Sequence, residues 1–510
     1  MIVVSHSNGI VQNINPHPAA LMEEKTLVSI LFSLALEYPD ELLVWCNSAY
    51  IESLDQKRIP ELFLHDRIML SYSVNSEYVI SDAIGYIEDS PFLKINREVL
   101  YPTWLMSSDM GAIKASVLVS FKELSKKGDS DFLLSSIAKT GQRSGLLCYS
   151  APQLLKSPGT LVKVNRQRYG NQLLFKFVFQ HYKTRWMLFL LISYFIFEKR
   201  IPLISFLRGF FNKKLLTYSP NINKIEFASN GNSSEKKIDV IIPTIGRKPY
   251  LYDVLKDLAV QTVLPIRVII VEQNPELNSA SELDYLTKEN WPFEIFHHFT
   301  HQTGACNARN MAIKDVKSSW VFMADDDIRF SESTLENILK YLEDFRCKAF
   351  TMSCLRDGEI ETQTNVIQWR TFGSGCSVVA SEFVKMTFYN LSYEFGFGED
   401  VDYGMQLRNK GCDVLYNPYV QLKHLKAEVG GFRKKITKAW ECEKIQPKPS
   451  PTVMLSRLKH ATNTQLRGYK LRLFLKFYKR QEIKNPFAYL SKMKKAWNKS
   501  TYWAKKLDNT

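Results

Sequence analysis

Long hydrophobic runs are missing from this chain of 510 residues. No stretch approaches the ~20 apolar residues that a spanning helix needs, which excludes a polytopic membrane protein. Paired cysteines are missing too. The eight cysteines include no CxxC pair, a spacing that fits free thiols in a reducing compartment better than a disulfide framework or a zinc site. The opening residues, MIVVSHSNGI, lack the basic start and apolar core of a secretory signal, so the chain reads as cytosolic. Nor is there compositional bias. With 45% hydrophobic, 13% aromatic and 23% charged residues, the chain is neither disordered, collagen-like nor low-complexity, and its length allows two or three domains.

Acidic residues are scarce in two places. Residues 451–510 hold fifteen Lys/Arg against Glu482 and Asp508, and residues 163–216 hold eleven against Glu198 alone. The net charge is +15, so the remainder is mildly acidic. Charge distributed this way points to a partner surface rather than to general stickiness. The apolar run Trp186–Phe197, flanked by Lys183, Arg185, Lys199 and Arg200, is too short to span a bilayer. It reads either as a buried core helix or as an interfacial helix on an anionic membrane.

Five segments follow. Residues 1–160 alternate short apolar runs with turns, as an α/β domain does. Residues 161–216 form a basic, aromatic helical segment, 217–236 a polar linker, 237–435 a second α/β domain, and 436–510 a basic helical tail. In 237–435, strands such as Ile238–Thr244, Arg267–Val271 and Trp320–Met323 alternate with helical stretches such as Tyr250–Gln261 and Ala305–Lys314, which predicts a parallel sheet covered on both faces. Ligands of such sheets bind beyond the carboxyl ends of the strands, where Thr244, Glu272 and Asp325–Asp327 would sit.

Four motifs there can carry chemistry. In VFMADDDIRF, three carboxylates directly after a strand repel one another unless a cation compensates, and Mg²⁺ takes such ligands together with substrate phosphates. Ser333 and Glu336 supply a capping box for the next helix, so capping does not need the cluster. FGFGEDVDYGMQLRNKG sets Asp400 at a helix start beside a glycine loop. GACNARNMAI permits close backbone approach and offers Arg309 to a phosphate or a carboxylate. His424 follows the predicted strand Asp413–Tyr416.

In order, IIPT with Arg247, IIVEQN, GACNARN, ADDD, GSG (Gly373–Gly375), GEDVDYGMQLRNKG and YNP with His424 resemble the family 2 glycosyltransferases of GT-A fold, over about residues 237–430. The resemblance implies a Rossmann-like nucleotide-diphospho-sugar transferase that inverts the anomeric centre with Mn²⁺ or Mg²⁺. Asp400 would be the catalytic base. Pro243, Thr244, Arg247, Glu272, Arg309, Asp325 and Asp326 would hold the nucleotide sugar (UDP-, GDP- or dTDP-linked). Asp325, Asp327 and His424 would hold the metal, and Gly373, Gly375 and Glu399 would lie on the acceptor side. Glu272 stands where the family usually has Asp. The acceptor implied is a glycan or lipid-linked glycan of surface polysaccharide biosynthesis.

GDSDFLLSSIAKTG (Gly128–Gly141) resembles GEDVDYGMQLRNKG, with Asp129 opposite Asp400, and LLCYSAP resembles DVLYNP. Residues 1–160 are therefore read as a degenerate GT-A-like copy, with an active second transferase and an unrelated α/β domain as the other readings. The basic tails suit an anionic membrane surface and place the chain peripherally on its cytoplasmic face. No nucleic-acid fold motif accompanies them. The competing readings of the whole are a non-catalytic GT-A-like scaffold and a membrane- or nucleic-acid-binding protein.

Overall fold

A computed structural model of the chain describes residues 1–16, 26–124, 128–157, 170–222, 237–428 and 437–509. The chain divides into two compact units, Met1–Ala228 with Ala461–Leu473, and Ser229–His460 with Phe474–Thr510. The break falls inside the expected linker, most of which (223–236) lies outside the described residues.

In the first unit, β1 (Ile2–Ser7) and β2 (Ile10–Asn15) form a hairpin. With β3 (Leu42–Asn47), β4 (Ile68–Tyr72), β5 (Tyr101–Pro102), β6 (Met110–Lys114) and β7 (Leu147–Ser150) they make a sheet of order β2-β1-β3-β6-β4-β7-β5. β1 and β3 are parallel, β6 is antiparallel to both β3 and β4, and β4 and β7 are parallel.

Residues 171–216 are not a separate segment. One face of the helix Asn171–His181 puts Leu174, Phe175, Phe177 and Val178 into the same core as Ile2, Trp45 and Phe132, and Phe177 stacks on Trp104 with ring centroids 5.0 Å apart. The remainder of the expected segment, 161–169, lies outside the described residues. The run Trp186–Phe197 buries one face, as the core-helix reading expects, and leaves another exposed. Met187, Leu190 and Tyr194, three and four residues apart, are buried, while Leu188, Phe195 and Ile196 are exposed. The next helix, Leu203–Gly209, also exposes Leu203, Ile204 and Leu207. No described helix is long and apolar enough to cross a membrane.

The second unit is built on β8 (Ile238–Thr244), β9 (Arg267–Gln273), β10 (Glu294–Thr300), β11 (Trp320–Ala324), β12 (Ile328–Arg329), β13 (Ala349–Leu355), β14 (Ile367–Gln368), β15 (Cys376–Ala380) and β16 (Leu415–His424). Their order is β10-β9-β8-β11-β15-β13-β16-β12, with β14 paired to β16. β8, β9 and β11 are almost wholly buried, which is why they read as unbroken apolar runs. The sheet is mixed rather than all parallel, because β15 runs antiparallel to both β11 and β13. This is the α/β, GT-A-type architecture that the motif order implies. Its stretch β8-β11-β15-β13-β16 repeats β1-β3-β6-β4-β7 in chain order, in neighbours and in every direction.

Local expectations fail at three points. The strand predicted at Asp413–Tyr416 starts at Leu415 and continues through Pro418 to His424. The Ser333 capping box does not form. Gln261 Oε1 instead accepts the Leu335 N–H (2.9 Å), and Glu336 accepts from Thr262 (2.9 Å). The helix Ser130–Gln142 is capped by Asp129 and the helix Glu399–Asn409 by Gly398, so Asp131, not Asp129, is the counterpart of Asp400. The C-terminal region is helical as expected, but its last helix, Pro486–Asp508, packs Tyr489, Met493, Ala496 and Trp497 inward and leaves its lysines outside.

Candidate active site

A cleft of about 330 Å³ opens beyond the carboxyl ends of β8 and β11. Pro243, Thr244 and Arg247 reach it from the end of β8, and Asp325, Asp326 and Asp327 from the end of β11. Gly304 caps the helix Ala305–Ile313, which carries Arg309; Gly375 comes from the turn before β15, Glu399 and Asp400 from the start of their helix, and His424 from the end of β16. Residues spread over about 180 positions of sequence thus share one hollow, because parallel strands end on the same side of a sheet.

Each aspartate of the cluster has its own partner. Asp325 Oδ1 accepts from Arg309 Nη2 at 2.7 Å. Asp326 is nearly fully buried, accepts from Thr244 Oγ1 (2.7 Å) and Arg247 Nη1 (2.6 Å), and is pushed up to about 6 by burial despite Arg247. Asp327 accepts the Ala427 N–H (2.9 Å) and lies 3.5 Å from His424 Nε2. Burial raises Asp327, but the His424 and Ala427 contacts outweigh it and hold the carboxyl below its ordinary value, while the same carboxylate raises His424. Asp326 is therefore a brace that locks the β8 and β11 ends together.

Two glycines make these approaches possible. A Cβ on Gly375 would collide with the Asp325 carboxylate, and one on Gly304 (φ +141°) would collide with Glu394. Glu394 accepts the N–H groups of Cys306 (3.2 Å) and Asn307 (2.9 Å), so it closes the start of the helix that carries Arg309.

At the start of its helix, Asp400 accepts both the hydroxyl and the N–H of Ser374. Burial raises its carboxyl, opposed by the Ser374 bonds and Arg309. Glu399 is pushed up to about 7 by burial and then by the Asp400 charge, and its buried Oε2 has no hydrogen-bond partner. Both sit in the first helical turn, where the backbone favours negative charge.

Two predicted residues are not brought in. Glu272 is bound by His297 (2.9 Å) and the Glu282 N–H (3.0 Å) and does not line the cleft. Gly373 donates its N–H to Thr351 (3.3 Å) behind it. Sequence reasoning missed Gln273, Ser374, Glu394 and Lys426, which do line it. Ser374 sat in plain view inside the GSG motif. The others are signalled only by the fold.

Among the described residues no three His, Cys, Asp or Glu side chains are gathered into a metal cage. The donor chemistry still fits a hard divalent ion. Asp325 and Asp327 offer oxygens and His424 a nitrogen to one cleft, and such ions are held by one or two carboxylates with substrate phosphates completing the shell. The wall itself carries six carboxylates (Asp325, Asp326, Asp327, Glu394, Glu399, Asp400) against Arg247, Arg309 and Lys426. A polyanionic ligand would need added positive charge there.

Residues 239–393 match the family model Glycosyl transferase family 2. Among curated proteins, an uncharacterized glycosyltransferase of Bacillus subtilis (YwdF) is 29% identical over 107 residues, 21% of this chain and 38% of that protein. One of Haemophilus influenzae is 28% identical over 106 residues, 21% of this chain and 34% of that protein. One of Rickettsia conorii is 27% identical over 111 residues, 22% of this chain and 18% of that protein. The chain thus spans well under half the length of these relatives. Among solved structures, S. aureus TarS 1-349 in complex with UDP-GlcNAc is similar at 12% identity and TM-score 0.37, covering 54% of this chain and 90% of that one. The mannosyltransferase PcManGT from Pyrobaculum calidifontis in complex with GDP-Man and Mn²⁺ gives 16% identity and TM-score 0.30, covering 54% and 73%.

Proposed function

We propose that this chain, whose second unit carries a Glycosyl transferase family 2 segment, moves a sugar from a nucleoside diphosphate to an acceptor hydroxyl with inversion. The observation that carries the reading is the convergence of the aspartates after β11 and the carboxylate of Asp400 on one cleft.

Arg247 and Arg309 line the diphosphate side, and Asp326 and Asp325 hold them there. Asp325, Asp327 and His424 are the residues to hold Mn²⁺ or Mg²⁺. Such an ion neutralises a departing diphosphate as a Lewis acid. Asp400 takes the proton of the acceptor hydroxyl. The oxygen then bonds to the anomeric carbon as that carbon's bond to the diphosphate breaks, and the bonding pair leaves with the diphosphate. Ser374 fixes the Asp400 carboxylate for this step. A nucleotide-release assay with Mn²⁺ over a panel of UDP-, GDP- and dTDP-sugars tests the reading and names the donor. A folded protein that releases nucleotide from none of them contradicts it.

The acceptor we infer is a glycan or lipid-linked glycan of a surface polysaccharide, met at the cytoplasmic face of an anionic membrane. The exposed Leu203, Ile204 and Leu207, close in sequence to Lys199, Arg200, Arg208 and Lys213, support that placement, as do the outward lysines of Pro486–Asp508.

A further inference from the structure

The first unit holds the larger cavity, about 1010 Å³, and nothing above gives it a task. Strand register places it in the second unit's terms, residue by residue. Asp325 donates its N–H to the Gly375 carbonyl at 3.1 Å, and Asn47 donates its N–H to the Asp109 carbonyl at 2.7 Å. Ala324 pairs with Cys376 and Cys46 with Met110, so Asn47 stands at the Asp325 position and Ser108 at the Ser374 position. Two further bonds confirm the frame. The N–H of Ser107 goes to Ser71 Oγ as that of Gly373 goes to Thr351 Oγ1, and the N–H of Ser108 goes to Asp131 as that of Ser374 goes to Asp400. Gly9 and Gly246, each two residues past its strand, both take positive φ (+79° and +61°). The larger cavity therefore opens at the strand ends equivalent to those of the catalytic cleft.

What changed there is chemically consistent. The run Asp325-Asp326-Asp327 becomes Asn47-Ser48-Ala49, and Arg247 becomes Ile10. Arg309 is the fifth residue of the helix leading into β11; the fifth residue of the helix leading into β3 is Leu31, which is in the core. Among the described residues, the three aspartates and two arginines that would grip a metal or a diphosphate have no charged counterpart at these positions. The carboxylate facing the turn serine remains, as Asp131. The wall has Glu77, Asp82, Asp129, Asp131 and Glu198 against a single Arg200, so a diphosphate would meet net negative charge. Asp129 is spent on the Phe132 N–H and Glu198 on the Tyr86 hydroxyl, so these acids are not a loose cation trap. Between them stand amides, hydroxyls and two tyrosines, among them Asn8, Asn171, Tyr78 and Tyr194.

We propose that this cavity is a binding site for a neutral saccharide, a GT-A cleft that has lost its nucleotide grip and kept a surface that hydrogen-bonds sugar hydroxyls. Its volume is about three times that of the catalytic cleft, enough for more than one sugar ring. In the activity proposed above, such a site would hold the growing acceptor, but binding here does not depend on that activity.

The test is a glycan array of neutral and anionic oligosaccharides probed with the full chain in EDTA without nucleotide, followed by calorimetry on the best neutral binder. Three variants are compared, each checked for an unchanged melting curve. Asn47→Ala and Asp82→Arg alter the first cavity, the second on its exposed rim where folding is not at stake, and Arg247→Ala alters the catalytic cleft. Neutral saccharide binding that survives Arg247→Ala and weakens about tenfold in Asn47→Ala or Asp82→Arg is the expected result. Absence of any neutral saccharide binding would overturn the proposal. So would binding abolished only by Arg247→Ala, or UDP binding that Arg247→Ala leaves intact and Asp82→Arg removes.

Discussion

At the scale of single residues, the charge pattern of the catalytic cleft predicts its pH behaviour. A base must be ionised to take a proton, and burial raises both Glu399, to about 7, and Asp400. Transfer should therefore fall as pH drops through a range above the value of about 4 usual for a carboxylate. Ser374→Ala removes the hydroxyl hydrogen bond that favours ionised Asp400 and keeps the backbone one, so the acid limb of kcat/KM should move further up. A limb that stays near 4 in both proteins contradicts the assignment. Gly304→Ala should cost about 1–3 kcal/mol in urea unfolding, because φ is +141° and Glu394 occupies the space a methyl needs. Gly375→Ala should instead disturb Asp325 and weaken donor binding. The role of the glycines was only half legible. GACNARN suggested close backbone approach and GSG a loop on the acceptor side, yet the nearest neighbours of Gly304 and Gly375 are the protein's own carboxylates. Glu272 misled for a related reason. Its strand-end position was read correctly, but the partners that engage it, His297 and the Glu282 backbone, come from β10 and a loop that no local pattern ties to it.

At the scale of elements, the long apolar strands β8, β9 and β11 were plain from composition, since burial on both faces leaves no polar alternation. The direction of β15 was not, because a short antiparallel strand in a mixed sheet has the same buried pattern as a parallel one. The capping box at Ser333 failed because a side chain from another element, Gln261, reached the helix start first. Elements also hold one another through charge. His460, at the end of the helix Pro451–His460, hydrogen-bonds Asp402 of the helix Glu399–Asn409 at 2.7 Å. Burial raises Asp402, but the His460 bond outweighs it and holds the carboxyl below its ordinary value. His460→Ala should destabilise the second unit by about 2 kcal/mol in chemical denaturation, and Asp402→Asn in that background should add little. Full additivity of the two changes would show that the pair is not coupled.

At the scale of the whole molecule, the sequence showed the internal repeat only as two short echoes, with the helix start misaligned by two residues. The sheet shows it strand for strand, because hydrogen-bond register outlasts side-chain identity. The basic tails were legible as charge but not as packing, since an amphipathic helix such as Pro486–Asp508 buries aromatics and displays lysines at once. The membrane reading predicts that the full chain sediments with anionic vesicles, less so at high salt, and that changing Leu203, Ile204 and Leu207 together to Ser weakens the association several-fold. Sedimentation that is indifferent to both changes contradicts it. The account as a whole rests on the cleft of the second unit. The most direct measurement is transfer from the preferred nucleotide sugar by the wild type and by Asp400→Asn, alongside donor binding by each. The account predicts donor binding retained and turnover reduced by about 10²–10⁴-fold in Asp400→Asn. Undiminished turnover in that variant would contradict it.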